Sequence, residues 1–470
     1  MLLKIQARFL RAGVAVCLLA FGATAIRAQD ITALTAKNDN ARETVESDAA
    51  KPILASVLPK YYNQQDGVSI GELIERALTN NQDLAAVRLE IERARARLAQ
   101  ARLRPNPTLE FEQSSGRLVG SGGDGEFTVG ASLPIEIYGR RSARINAAQI
   151  AIEASLAEVR NRERQLAANI LTNYAEALAA LRELDATERL LELDLQTTRF
   201  IQIRVNEGET APLELNLLQA EVERLHARRQ LVEGRLDSAL TQLKLLAGIS
   251  FDEPLRLREQ LTSAILPALP TTRETAVDIA LRTRPDVLLA QIEEQVATAG
   301  LRLVRAQSRP DLTAYTRYTQ GRSVVDTSIG NFPQRDRSLT FGVAIGIPVF
   351  NKNQGARAEA EIAVRQAQAR REFAERAVRG EILAAYQRFE AAQRAVATLE
   401  NAAIPRSTQN VETFRKVYEL GNISITDLIT EQRRLLDATR DLTEALTQRY
   451  RAQVDLNVAL GASGLLPPPQ

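Results

Sequence analysis

Few residues of this chain are equipped to make or break bonds. Among 470 residues there is one histidine, His226, and one cysteine, Cys17. His226 stands in a charged helical stretch with no second histidine, cysteine or paired carboxylates at ligand spacing. A surface position is therefore expected, not metal coordination. The run Gly120-Ser121-Gly122-Gly123-Asp124-Gly125 lacks the Lys-Ser/Thr that completes a phosphate-binding loop. No nucleophile, base and acid form a recognisable set. The chain is thus not expected to be an enzyme, nor to hold a cofactor or a resident metal. Its net charge of +2 gives no reason to expect a nucleic-acid partner. The informative polar residues gather at two turns instead. Gly208 and Gly421 supply the positive φ that a tight turn needs. Ser424 and Asp427 have the spacing of a helix N-terminal cap, and Pro212 suits a first helical turn. Glu207, Glu209 and Glu419 set carboxylates beside the same glycines. On a lone chain these are solvated surface acids; repeated around a pore they would favour cations.

The elements that hold these turns come in duplicate. Ala77-Leu78 matches Ala280-Leu281, Arg104-Pro105 matches Arg309-Pro310, and Leu133-Pro134-Ile135 matches Ile347-Pro348-Val349. Farther along, Tyr174 matches Tyr386, and Arg204 to Gly208 matches Val417 to Gly421. Each half is about 200 residues, well beyond a solenoid period, so one large unit has been duplicated. The first unit is expected over residues 67–270 and the second over 271–461. Each opens with an amphipathic helix, Gly71 to Arg104 in the first, ended by Pro105 and Pro107. Two short strands follow in each, over 108–135 and 311–349, with connectors through Gly116–Gly125 and Ser323–Arg337. Then come a very long helix (about Gly139–Val205 and Gly355–Glu419), a glycine turn, and a returning helix. At 1.5 Å per residue the long helices reach roughly 100 Å. Pro405 should kink the second. Alanines on several faces, such as Ala168, Ala175, Ala177 and Ala180, would let a helix touch neighbours on two sides.

The strands limit what such a chain can be. Phe127–Leu133 and Leu339–Ile347 place apolar residues at alternate positions, the pattern of a membrane barrel wall. Known single-chain bacterial barrels begin at about 8 strands, and an open sheet edge in lipid leaves backbone groups unpaired. If these four strands span a membrane, several copies must share one barrel. The competing reading is a small soluble sheet capping a coiled coil. The N-terminus reads as a secretory signal: Lys4, Arg8 and Arg11, a short apolar run from Gly13 to Ala25, and cleavage after Ala25 or Ala28. Cys17 lies inside that run behind Val16, so acylation is not expected. Residues 29–66 read as a polar linker and 462–470 as a loose tail.

This order of elements, repeated after a signal peptide, resembles the TolC family of outer-membrane efflux proteins. The resemblance runs from about Gly67 to Gly461. It is carried by Leu73–Leu84, Arg104-Pro105-Asn106-Pro107, Ile347–Gly355 and, most specifically, the turn from Arg415 to Leu428 with Gly421, Ser424, Asp427 and Leu428. It implies a mostly α fold with a membrane β-barrel: a homotrimer whose 12 strands form one barrel in outer-membrane lipid and whose 12 long helices form a periplasmic tunnel. It further implies that Glu207, Gly208, Glu419, Gly421, Ser424 and Asp427 lie at the periplasmic tip and gate. There a periplasmic adaptor (membrane fusion) protein would engage, with a proton-driven RND-type inner-membrane pump completing the assembly. Arg104–Leu109 and Asn351–Gly355 lean towards the heavy-metal branch, whose members resemble CzcC. A channel for type I protein secretion, or a non-channel periplasmic scaffold, are the alternatives.

Overall fold

The computed structural model of the chain describes residues 55–115, 124–261 and 272–461. The expected signal peptide, the tail 462–470 and most of the first hairpin's glycine-rich connector lie outside the described residues. The first unit contains α1 (Ile70–Asn80), α2 (Gln82–Arg102), β1 (Thr108–Ser115), β2 (Gly125–Ile135), α3 (Arg140–Asn206) and α4 (Pro212–Ala247). The second repeats the order as α5 (Arg273–Thr283), α6 (Pro285–Gln307), β3 (Asp311–Thr327), β4 (Gly330–Gly346), α7 (Gln354–Thr398), α8 (Ile404–Glu419) and α9 (Ile425–Ala459).

Four expectations need correction. The opening helix is two helices, broken at Asn81, whose side chain caps α2 by accepting from the Leu84 N–H at 2.9 Å. The connector Ser323–Arg337 is itself mostly strand, so β3 and β4 are each 17 residues long. Pro405 does not simply bend a continuous helix. A π-helical turn, Leu399–Ala403, precedes it, closed by the Ile404 N–H donating to the Leu399 carbonyl. The ring can then sit at the start of α8, where its missing N–H costs little. Finally, the presumed linker is packed from Ala55 onward. Glu188 accepts from the Ser56 hydroxyl at 2.6 Å, the Val57 N–H at 3.1 Å and Arg229 at 2.8 Å. Tyr61, 2 % exposed, donates to Glu233, and its carbonyl accepts from the Leu257 N–H at 2.8 Å. The chain thereby straps α3 to α4.

The 67-residue α3 is the spine, about 100 Å long. Ala175 and Ala177 lie about 200° apart around its axis, yet both are 0 % exposed. Small side chains let this helix be covered on two sides, as a wall element must be. Neither α2 nor α4 spans the full length of α3; they meet end to end beside it. At that junction the Asn81 amide donates to the Leu246 carbonyl at 2.9 Å. Gly248 has φ +65°, and a Cβ there would lie 2.7 Å from the Asn80 carbonyl oxygen. The second unit repeats the joint: Thr283 donates to the Leu460 carbonyl at 3.0 Å.

The joint between sheet and helices depends on Arg140, Arg141 and Arg144 in the first turns of α3. Cations at a helix N-terminus oppose the macrodipole. They are placed there because they reach the C-terminal ends of two other helices. Arg141 and Arg144 donate to the carbonyls of Ala101 and Arg102 in the last turn of α2 and of Leu103 just after it, at 2.8–3.1 Å. Arg140 donates to Ala306 and Gln307 at the end of α6, at 3.2 and 3.0 Å, and pairs with Asp311 at the start of β3.

Gly248→Val should cost about 2 kcal/mol or more through positive φ and backbone overlap. Gly234→Ala, where an added Cβ meets nothing within 4 Å, should stabilise by about 0.5–1 kcal/mol. Thermal melts of the two variants in detergent, moving in opposite directions, check the joint.

Candidate functional site: the sheet wall and the helical tip

All four strands form one antiparallel sheet in the order β1-β2-β3-β4. The register decides its faces. Leu109 stands opposite Ala131, Ala131 opposite Thr316, and Thr316 opposite Phe341. Phe111, Val129, Tyr318 and Leu339 form the next row. Leu133, Ala314 and Val343, then Ile135, Leu312 and Ile345, continue the same face. It is apolar and bare: Phe111 is 70 % exposed and Phe341 74 %. Along β4 this face reads Leu339, Phe341, Val343, Ile345, and Ile347 follows the strand end. Eight residue steps cover about 26 Å, close to the apolar band of about 25 Å on outer-membrane barrels. The opposite face carries Glu110, Glu112, Glu126, Thr128, Arg317 and Thr319. Thr128 and Thr319 hydroxyls lie 3.3 Å apart, and Arg317 lies 3.9 Å from Glu110 across the side-chain-free Gly130. One face suits hydrocarbon and the other suits water.

At the far end of the helices the two turns are built alike. Gly208 and Gly421 have φ of +76° and +74°. In the first, the Gly208 N–H donates to Val205 at 3.1 Å and the Glu209 N–H to Arg204 at 2.9 Å. In the second, the Gly421 N–H donates to Tyr418 at 2.8 Å and the Asn422 N–H to Val417 at 3.1 Å. Both are Schellman closures, which satisfy the last carbonyls of the outgoing helices. Ser424 and Asp427 form a capping box: the Ser424 N–H and hydroxyl donate to the Asp427 carboxylate at 3.1 and 2.7 Å. The hydroxyl bond leads in holding that carboxyl below its usual range. Pro212 opens α4 at its first turn. Beneath the turns Ile201, Leu215, Leu218, Tyr418, Ile425 and Leu428 form a separate apolar cluster. The Tyr418 hydroxyl donates to Glu214 at 2.9 Å, tying the second unit's outgoing helix to the first unit's returning one. Burial first, and Glu214 second, push the tyrosine's pKa up.

A family model for "Outer membrane efflux protein" matches residues 73–249 and again 276–462. The chain belongs to the outer membrane efflux protein family. Among its relatives, the cobalt-zinc-cadmium resistance protein CzcC of Cupriavidus metallidurans is 24 % identical over 86 % of this chain and 93 % of its own length. The cation efflux system protein CusC of Escherichia coli is 26 % identical over 83 % and 85 %. The solved structure of CusC superimposes with a TM-score of 0.71 at 22 % identity, covering 88 % of this chain and 97 % of that one. The outer membrane protein VceC of Vibrio cholerae gives 0.67 at 19 % identity, over 83 % and 96 %. This efflux protein is therefore an outer-membrane channel subunit with its helices in the periplasm, as the resemblance to the TolC family implied. Neither the secretion nor the scaffold alternative gains support from these matches.

The structure gathers Glu207, Gly208, Glu419, Gly421, Ser424 and Asp427 into the two turns, with the acids unequally placed. Glu209 lies 3.4 Å from Arg204, and Glu419 lies 3.2 Å from Arg415. Glu207 is exposed, with no ion pair among the described residues. His226 is half-buried on α4, and no group of three or more potential metal ligands occurs among the described residues.

Sequence reading missed a buried polar layer above the tip, where α3, α4 and α9 meet. Asp194 is 1 % exposed and accepts from the Gln432 amide at 2.9 Å. Glu221, 4 % exposed, is held by Arg224 and by Arg433 at 2.5 Å. Burial, with Glu221 beside it, raises the Asp194 pKa to about 7; Gln432 and Arg224 oppose that rise. A polar residue on the inward face of a helix was the available signal, but only packing shows which polar residues face inward.

Two outcomes follow. Asp194 holds its proton more tightly folded than unfolded, so its contribution favours the folded state at low pH. That contribution declines as pH rises from about 4 to about 7 and is level above that. Asp194→Asn should remove this slope from melting temperature against pH, and an unchanged slope would exclude Asp194 as its source. Tyr418→Phe removes one hydrogen bond, worth about 1–2 kcal/mol. It should leave assembly intact while raising the fraction of time a reconstituted channel spends open.

Proposed function

We propose that three copies of this efflux protein assemble into one continuous passive duct. The observation that carries the reading is the sheet: amphipathic across its faces, with unpaired edges at β1 and β4. In hydrocarbon those edges must pair with other copies. Two copies would give eight strands, a barrel whose interior side chains nearly fill it. Three give twelve, which leaves an aqueous lumen lined by the Glu110, Thr128 and Arg317 face. The doubled wall of long helices carries that lumen through the periplasm.

The narrow end of the duct lies at the two glycine turns. Glu207, Gly208, Glu419, Gly421, Ser424 and Asp427 form the surface against which a periplasmic adaptor docks, with an RND-type pump beyond it in the inner membrane. The Tyr418–Glu214 bond ties the two helical hairpins of one subunit here, so it resists their separation when the end widens. Metal cations are the cargo this reading favours. Support comes from the names of CzcC and CusC and from carboxylates at the turns, which bias a pore towards cations. Cations pass through and are not chelated.

Planar-bilayer recording on detergent-extracted protein, with native mass measured on the same sample, tests the duct. Discrete cation-preferring channels from a species of three chains are expected. Glu207→Gln with Glu419→Gln should lower the cation preference without changing the copy number. A soluble monomer without conductance would overturn the reading.

A further inference from the structure

The β3–β4 hairpin continues well past the apolar band, on the side away from the helices. On the lipid-facing side the continuous apolar rows of β3 and β4 end at Tyr318 and Leu339; Phe127 of β2 stands beside Gln320 in the next row, and an isolated pair, Val324 opposite Pro333, lies beyond the arginines. In the next row Arg337 stands opposite Gln320, and in the row after it Arg335 stands opposite Arg322. Arg337 is thus about 7 Å, and Arg335 about 13 Å, along the strand from Leu339. The band fills the hydrocarbon and the helices are periplasmic, so these heights fall in and just above the outer headgroup layer. All three arginines are exposed, and none forms an ion pair among the described residues. Like charges directly opposite in an antiparallel pair are destabilising, and the neighbouring acids Asp336 and Asp124 are engaged elsewhere. Asp336 alternates to the lumen face, in register with Gly321, and accepts from Gln334. Asp124 is engaged by the Val324 N–H at 2.9 Å. On the β2 side Arg322 is flanked by Gly125, which has no side chain to cover it.

We propose that Arg322, Arg335 and Arg337 form a phosphate-binding patch on the outer wall of the barrel, filled by the phosphorylated glycolipid headgroups of the outer leaflet. Guanidinium forks match phosphate oxygens in pairs. A basic residue near an anionic membrane surface gains a factor of about five in affinity. The patch is continuous with the lipid-facing band, so a lipid whose chains lie on Phe341 and Leu339 brings its headgroup to these side chains. The inference rests on the sheet spanning the outer membrane, which the conductance recording tests separately.

The test is native mass spectrometry of the full-length assembly with lipid A as probe. Its arms are bisphosphorylated lipid A, the same lipid with its phosphates removed, and inorganic phosphate alone. Wild-type protein should retain the phosphorylated lipid on the order of 100-fold better than the dephosphorylated one. Inorganic phosphate at millimolar concentration should displace little of it. The triple variant R322Q/R335Q/R337Q should lose that discrimination while keeping the wild-type copy number and conductance. The lumen-face variant R317Q should keep the discrimination. If the triple variant fails to assemble, the wild-type comparison of the two lipids decides alone. Equal retention of the two lipids, or undiminished discrimination in an assembled triple variant, would overturn the proposal. Full displacement by inorganic phosphate would overturn the assignment to a lipid headgroup.

Discussion

The structure depends on one constraint: a four-stranded sheet that is apolar on one face and hydrogen-bonded on only part of its outline cannot stay alone in hydrocarbon. Each exposed N–H or C=O on the outer edges of β1 and β4 would cost several kcal/mol in lipid. A longer chain could supply more strands. This one supplies them by repetition, first within the chain and then between copies. Duplication yields two hairpins related by sequence, and the antiparallel pairing of β2 with β3 fuses them into one wall. Closure must come from further copies, and the open edges follow from a chain that does not complete its own barrel.

The same economy governs the helices. α3 is continuous for 67 residues, whereas its counterpart in the second unit is interrupted by the π turn ahead of Pro405. One unit thus offers an unbroken spine and the other a spine with a built-in change of pitch. The returning helices reach only part of the way back, and glycine lets each meet the end of an opening helix without a gap. Where wall and tunnel join, cations that would be misplaced on an isolated helix become donors to the carbonyl ends of two neighbours. At the far end Schellman turns, a capping box and a small apolar cluster give a rigid tip held by few side-chain bonds, among them Tyr418 to Glu214.

Much of this was legible in the sequence because it rests on local rules. Alternation fixed the wall strands, period and alanine content fixed the long helices, and glycine spacing located both turns. Ser424 and Asp427 read correctly as a cap because a capping box is a contact between near neighbours. The rest depends on residues far apart in sequence. The break at Asn81 was hidden because α1 and α2 share one apolar rhythm across it. β3 and β4 extend past the readable alternation because beyond Tyr318 and Leu339 the outward positions mix Gln320, Arg322, Arg335 and Arg337 with Val324 and Pro333, so alternation no longer marks a strand that hydrogen bonding still makes. Residues 55–66 looked like a linker because their anchors, Glu188, Glu233 and Leu257, lie more than a hundred residues away. Arg140, Arg141 and Arg144 carried a usable signal, since cations in a first helical turn ask for an explanation, but only the fold shows which carbonyls they serve.

The central claim is that β1 of one copy pairs with β4 of the next until three copies close. With Cys17 replaced by Ala, cysteines at Glu110 on β1 and, in turn, at Ser338, Thr340, Gly342 or Ala344 on the same face of β4 would probe that contact in outer membranes. Mild oxidation should give, for at least one pairing, a denatured-gel ladder of one, two and three chains that goes no further. A ladder ending at two, one extending past three, or no cross-link from any pairing in assembled protein would contradict the shared twelve-stranded barrel.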